Sequence, residues 1–418
     1  MSAASQGSQY SEPLPSNAGR DWLSCVSTGF LYYYLTTMIV VVAAVLGHDL
    51  LPRSRDPRAT QDDALHAFAN WDGEWYLSIV ERGYAYDTTK RSSVAFFPAY
   101  PLLAWGLARA TGVDPIVSLL IISHASLIAA FALTLAYVRL RFPDDKQELG
   151  EYVLLSLGLF PTALFFRMAY SESLFVLLTV LCLYGMERRW PLLILALLVG
   201  FATATRPVGL ALLPPFVLHV WHRSASRQQF GIRLTWLLPL SLWGIAAYMG
   251  YQWLTFGEPL AFFKTQGNWR VYRPSSLSEK ASALVTLKPV WGNFDPSSPG
   301  YWLRHTVYPN PFASLSFMNP LFFVAGSIFI VIGFCRRWLS AYEILLACFL
   351  LLIPYVASSY EIHMAGMGRF VAAMFPLHLV LGQIFARLRG SLAALLLSVS
   401  ACFLTLYAAL FAAWYQVY

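Results

Sequence analysis

The segment Asn70-Trp71-Asp72-Gly73-Glu74-Trp75-Tyr76 places a carboxylate among aromatic rings at the start of an amphipathic stretch. A carboxylate in that setting can take the proton of an attacking hydroxyl, which is general-base work. Asp72 or Asn70 reads equally well as a helix N-cap. Two arginines invite a different chemistry. Arg206 closes the apolar run Leu192 to Thr205 and is followed by Pro207, while Arg369 opens the run that contains Phe375-Pro376. A guanidinium fork matches phosphate oxygens in bidentate fashion; snorkelling to lipid headgroups is the bland alternative, against which stands the placement of both on the side where positive charge is normally depleted. Arg167 sits where a snorkelling terminal residue would. Glu172, in Tyr170-Ser171-Glu172-Ser173, opens an apolar helix, where its charge complements the helix dipole.

Other chemistries lack their residues. His363, near Glu361, has no partner at metal-ligand spacing. The five cysteines (Cys25, Cys182, Cys335, Cys348 and Cys402) lie in or beside apolar segments without a CxxC, and read as packing residues. There is no Walker loop, GxGxxG, HExxH or GxSxG. Neither cofactor nor metal is expected.

The elements that must position these groups are membrane helices. Of 418 residues, 57% are hydrophobic and only 12% charged, with a mean hydropathy of +0.54. A soluble domain carries roughly 25% charged residues, and apolar runs here recur at the ~20-residue length that a bilayer core requires. The net charge of +7 comes as short arginine clusters between apolar segments, not as a basic face for nucleic acid. An all-α polytopic protein is expected, with about eleven crossings at 23–46, 116–138, 151–167, 172–186, 191–205, 207–221, 234–256, 317–335, 341–358, 368–386 and 391–412. The run Trp22 to Gly47 is too long for a signal-peptide core and reads as a retained anchor. Residues 1–22 read as a disordered cytoplasmic N-terminus and 23–418 as one membrane domain, with outer loops at 48–115 and 257–316.

Charge arbitrates the ambiguous segment 97–111. If it lies at the interface without crossing, the clusters Arg139/Arg141/Lys146, Arg188/Arg189, Arg223/Arg227/Arg233, Arg336/Arg337 and Arg387/Arg389 all fall on the side of Arg20. Both long loops then face outward, and so do 169–173, 205–207 and 361–369. From Ala64 to Arg82, Trp71, Trp75 and Ile79 form one stripe of an interfacial helix. Unusual polar residues thus gather on one membrane face. A transporter or lipid-linked saccharide flippase, the alternative class, would place them near the midplane and show an internal repeat. A scaffold would have no use for them.

The stretch Trp71 to Tyr84, then Ala95-Phe96-Phe97-Pro98-Ala99-Tyr100-Pro101, closely resembles the PIG-V-type mannosyltransferases. So do Phe160 to Ser173, Thr205-Arg206-Pro207-Val208-Gly209, and Gly368-Arg369-Phe370 with Phe375-Pro376. The resemblance implies the GT-C architecture, a multi-helix membrane glycosyltransferase with juxtamembrane helices in its first outer loop. It also implies transfer of a hexose, mannose in the eukaryotic members that build glycosylphosphatidylinositol, from a polyprenyl-phosphate (dolichyl-phosphate-type) donor. By resemblance Asp72 holds the first-loop carboxylate position and becomes the catalytic base of a metal-independent inverting transfer. Arg206 and Arg369 would hold the donor phosphate. Trp71, Trp75, Tyr170 and Glu172 complete the expected substrate-contacting set. The acceptor would be a lipid-linked or other glycan, reached at the outer or lumenal face. The setting would be the plasma membrane of a bacterial homologue or the endoplasmic reticulum of a eukaryote.

Overall fold

The computed structural model describes residues 18–54, 63–144, 147–305 and 309–415, which form helices joined by turns and irregular segments, with no strand among them. In chain order the helices are α1 (Ala18–Leu50), α2 (Asp72–Arg82), α3 (Ala99–Thr111), α4 (Pro115–Arg141), α5 (Gln147–Leu159), α6 (Glu172–Glu187), α7 (Leu192–Thr205), α8 (Leu213–His222), α9 (Arg227–Ser241) and α10 (Trp243–Phe256). The second long loop holds the short α11 (Ala261–Lys264), α12 (Leu277–Val285) and α13 (Lys288–Trp291). The chain closes with α14 (Leu315–Cys335), α15 (Ala341–Ser358), α16 (Met367–Ala372), α17 (Phe375–Phe385) and α18 (Gly390–Ala412). Residues 1–17 of the expected disordered N-terminus lie outside the described residues, and 18–22 belong to α1.

Every expected crossing coincides with helix, but five helices are long and apolar enough to span a bilayer: residues 21–50 of α1, α4, α14, α15 and α18. The pair α9 and α10, bent by 49° at Leu242, makes a sixth if counted as one span. Of the remaining candidates, 172–186 and 191–205 form helices of the expected but short length, and the other three are shortened for a common reason. Pro161 lies two residues past the end of α5, Pro207 opens the 3-10 turns over 207–212 before α8, and Pro376 in the first turn of α17 stops that helix from running back into α16. Proline removes a backbone donor and clashes with the preceding turn, so the helix stops. At least three of these breaks, at 160–171, 206–212 and 373–374, fall at helix ends that meet the same part of the molecule. There the backbone leaves helical form while enclosed by protein, the condition under which irregular backbone is tolerated at membrane depth. Helix α3, at 13 residues, is about 20 Å long and too short for a core of about 30 Å.

Small residues set the helix contacts. A Cβ on Gly29 of α1 would come within 2.7 Å of the Ala132 nitrogen on α4, and one on Gly47 within 2.3 Å of the Ala409 carbonyl on α18. Gly244 of α10 lies against the Gly200 carbonyl of α7, where a Cβ would approach to 2.1 Å. Lipid tails are as apolar as the side chains, so close backbone approach and van der Waals contact hold these pairs together. The arginine clusters at the other ends of the helices pair locally. Arg141 faces Glu343 at 3.8 Å, Arg223 donates to the Arg189 carbonyl at 3.0 Å, and Arg387 covers the Trp338 ring at 4.8 Å.

Candidate active site

Helix α2 begins at Asp72, not at Ala64; the residues before it form a separate 3-10 turn over His66–Ala69. Its N-cap position is Trp71, whose φ of 62° turns the chain sharply, and no side chain caps the helix there. The capping reading therefore fails for both candidates. Asn70 donates to the Phe411 carbonyl at 3.0 Å, and the Asp72 carboxylate faces Arg369 Nη1 at 2.6 Å. A non-glycine residue at positive φ is uncommon, and such strain concentrates at functional sites.

Arg369 lies on α16, and its Nε approaches Glu172 Oε1 at 3.4 Å. Glu172, in the first turn of α6, also pairs with Arg206, which caps the C-terminus of α7. Four groups remote in sequence thus form one chain of alternating charge, Asp72–Arg369–Glu172–Arg206, with two carboxylates and two guanidiniums. The Glu172 side chain is 1% exposed and that of Asp72 21%, so Asp72 is the end that solvent or substrate can reach. Aromatic rings back the cations. Arg369 lies 5.3 Å from the Phe165 ring centre and 5.4 Å from that of Tyr170, and Arg206 lies 5.3 Å from that of Phe370. Each ring face attracts the guanidinium it carries.

Tyr170 is fully buried and ties the first loop to this network. Its hydroxyl accepts the Asp72 backbone N–H at 3.0 Å and donates to the Asn70 carbonyl at 3.1 Å. It therefore fixes Asp72, with its hydroxyl engaged on the loop backbone and not turned to a ligand. The expected substrate-contacting tryptophans lie outside the charge chain. Trp71 is buried against Trp414, with ring centres 5.5 Å apart. Trp75 is half-buried, stacked on Phe96 at 5.9 Å and met edge-on by Trp269 of the second loop at 5.6 Å. The stripe read as an interfacial face thus packs against protein. Arg167 does not snorkel either. It is fully buried and donates to Thr36 Oγ1 at 2.7 Å, Thr37 Oγ1 at 3.2 Å and the Ala163 carbonyl at 2.9 Å.

Two supporting residues escaped the sequence reading. Asn319 of α14 accepts the Gly368 N–H at 2.8 Å, and Thr162 donates to the Gly368 carbonyl at 2.7 Å. Together they pin the backbone next to Arg369. Asn319 carried a usable signal, since a polar amide inside an apolar helix commonly marks a functional site. Thr162 lay within the Phe160 to Ser173 stretch, but nothing in its local pattern singled it out. Among the described residues no group of three His, Cys, Asp or Glu side chains is placed to hold a metal ion.

The family model described as Mannosyltransferase (PIG-V) matches residues 58–226, which include Asp72, Tyr170, Glu172 and Arg206. Over that stretch, which is less than half of the chain, the sequence is similar to the PIG-V-type mannosyltransferases. The chain is similar to the human (Homo sapiens) GPI alpha-1,6-mannosyltransferase 2, with 33% identity over 237 residues, 53% of this chain and 45% of that protein. The Cricetulus griseus protein of the same name is 31% identical over 236 residues, 53% of this chain and 44% of its own length. The similarity thus spans less than half of these relatives. Among solved structures, the apo oligosaccharyltransferase of Archaeoglobus fulgidus aligns with 92% of this chain and 56% of its own, at 12% identity and a TM-score of 0.45. That likeness is too distant to carry an argument about this chain.

Proposed function

We propose that this protein is a membrane mannosyltransferase of GT-C architecture, moving mannose from a polyprenyl-phosphate donor to a glycan or glycolipid acceptor at the outer face. The observation that carries the reading is the Asp72–Arg369–Glu172–Arg206 chain, with its one accessible carboxylate at the end. In the transfer the acceptor hydroxyl attacks the anomeric carbon as Asp72 takes its proton. A bond forms from the acceptor oxygen to that carbon, the bond from the carbon to the phosphate oxygen breaks, and polyprenyl phosphate leaves. One displacement inverts the anomeric configuration.

The arginines supply the electrostatics. A phosphodiester arriving beside Arg369 competes with Asp72 for the same guanidinium, and Arg206 stands on the far side of Glu172 as the second cation. Drawing Arg369 toward phosphate frees Asp72 to act as a base, and both cations then face the charge that develops on the leaving group. Binding of the donor and activation of the base are in this way one event.

The test is transfer itself. Purified protein in vesicles is incubated with radiolabelled polyprenyl-phosphate mannose and a panel of glycolipid acceptors, and the product linkage is read by NMR. Label should appear in product with an inverted anomeric centre. Retained configuration would overturn the single-displacement mechanism, and label that crosses the bilayer without changing carrier would mark a flippase.

A further inference from the structure

The second long loop has no part in the mechanism above, yet it carries an unusual charge. Residues 257–315 contain six basic side chains (Lys264, Arg270, Arg273, Lys280, Lys288 and Arg304) against three acidic ones (Glu258, Glu279 and Asp295). Positive charge is normally depleted on the outward side of a membrane protein, where the topology proposed from the arginine clusters puts this loop. An anionic ligand is the simplest reason to keep it there.

The loop also builds a cavity. Tyr272, Lys288, Asn293, Ser298, Tyr360 and His363 line a shallow recess, about half open to solvent, between α13 with the turn after it and the segment that leads into α16. Its walls are fixed from behind. The hydroxyls of Tyr272 and Tyr360 both donate to Glu279 Oε1, at 2.6 and 2.9 Å, which leaves their rings set edge to face with centres 5.2 Å apart. Glu279 receives further hydrogen bonds from the Ser275 backbone and hydroxyl, and Glu361 is paired with Lys280 at 2.6 Å. Asp295 is turned to the backbone and hydroxyl of Ser297. The neighbouring carboxylates are thus engaged, while Lys288, half-buried, reaches over the Tyr360 ring with Nζ 5.9 Å from its centre. The opposite wall is drawn close: a Cβ on Gly300 would fall 2.7 Å from His363 Nδ1. His363 and Met364 both hold positive φ, at 52° and 62°, a strained pair five residues before Arg369.

We propose that this cavity binds a phosphorylated sugar headgroup, with its phosphoryl group on Lys288 and its ring against Tyr272 and Tyr360. Resting on the transferase reading, it is the place where the acceptor is held. A single lysine supplies a point charge for phosphate, and flat aromatic faces accept the apolar face of a sugar. The strained turn at 363–364 links an occupied cavity to the position of Arg369.

Binding can be measured without turnover. Full-length protein in detergent is titrated with mannose 6-phosphate, methyl mannoside and inorganic phosphate, using ligand-detected NMR. Mannose 6-phosphate should bind more tightly than either fragment. Lys288→Gln should weaken it roughly tenfold, the scale of one charge-assisted hydrogen bond, and Tyr272→Leu should weaken it too. Asp72→Asn should leave this binding unchanged. In the transfer assay Lys288→Gln should raise the acceptor KM and leave donor KM and kcat as they were. Equal binding by inorganic phosphate, or Lys288→Gln binding like wild type, overturns the proposal. If binding behaves as stated and no transfer is found with any acceptor, the cavity stands and the transferase reading falls.

Discussion

Glu172 holds two guanidiniums while almost wholly shielded from solvent, so its charge cannot be removed without leaving both arginines under-compensated in a buried place. Breaking a buried ion pair from one side costs about 3–5 kcal/mol in typical cases. Glu172→Gln should therefore lower the melting temperature and reduce kcat together, and Glu172→Asp should recover part of both. If Glu172→Gln melts like wild type, the network is not holding the site. Arg206→Ala, at the end of the chain opposite Asp72, should act chiefly on donor affinity. At this scale the sequence was informative about residue type and silent about pairing. Asp72, Arg206 and Arg369 stood out because each was costly or unexpected where it lay. That Arg369 would face Asp72, 297 positions away, follows only from the fold. The local pattern even suggested the wrong partner, since an acid at a helix start ordinarily caps it, whereas the turn at Trp71 releases Asp72 from that duty.

Among the elements, the glycine contact between α7 and α10 is the most direct test of how the bundle is held. Gly244→Ala puts a methyl group where 2.1 Å separates an ideal Cβ from the Gly200 carbonyl, so the helices must part. The variant should show a lower melting temperature in detergent, because close packing is what drives association between membrane helices. An unchanged melting temperature would mean that α10 packs elsewhere. Hydropathy located these elements well; the expected 341–358 coincides with α15, and 391–412 with α18 to one residue at its start. It overestimated the lengths of 151–167, 207–221 and 368–386, because an apolar window does not register what Pro161, Pro207 and Pro376 do to backbone hydrogen bonds. The same prolines create the irregular segments that carry Arg206 and lead to Glu172, so the misjudged boundaries belong to the site.

For the whole molecule, the proposed topology sets both long loops on one side and the arginine-rich turns on the other. In a background without the native cysteines, Ser297→Cys and Ala225→Cys should react oppositely with a membrane-impermeant thiol reagent in sealed, right-side-out vesicles. Ser297→Cys should label and Ala225→Cys should not. Labelling of both from outside would remove the argument that charge placement orients the chain. The fold brings Asp72, Glu172, Arg206 and Arg369 together from four separate segments, and the second loop closes over the first through Trp269 against Trp75. A site assembled over such sequence distances is legible from sequence only as a set of suspects on a common face.

The central claim is that Asp72 takes the acceptor proton, and it is tested most directly by comparing wild type with Asp72→Asn for mannose transfer from polyprenyl-phosphate mannose, once an acceptor is in hand. Asparagine keeps the shape and can still accept from Arg369 but cannot take a proton. The account predicts a kcat lower by a factor on the order of 10² to 10⁴, the range of general-base catalysis, with donor binding retained. Transfer by Asp72→Asn at the wild-type rate would contradict it.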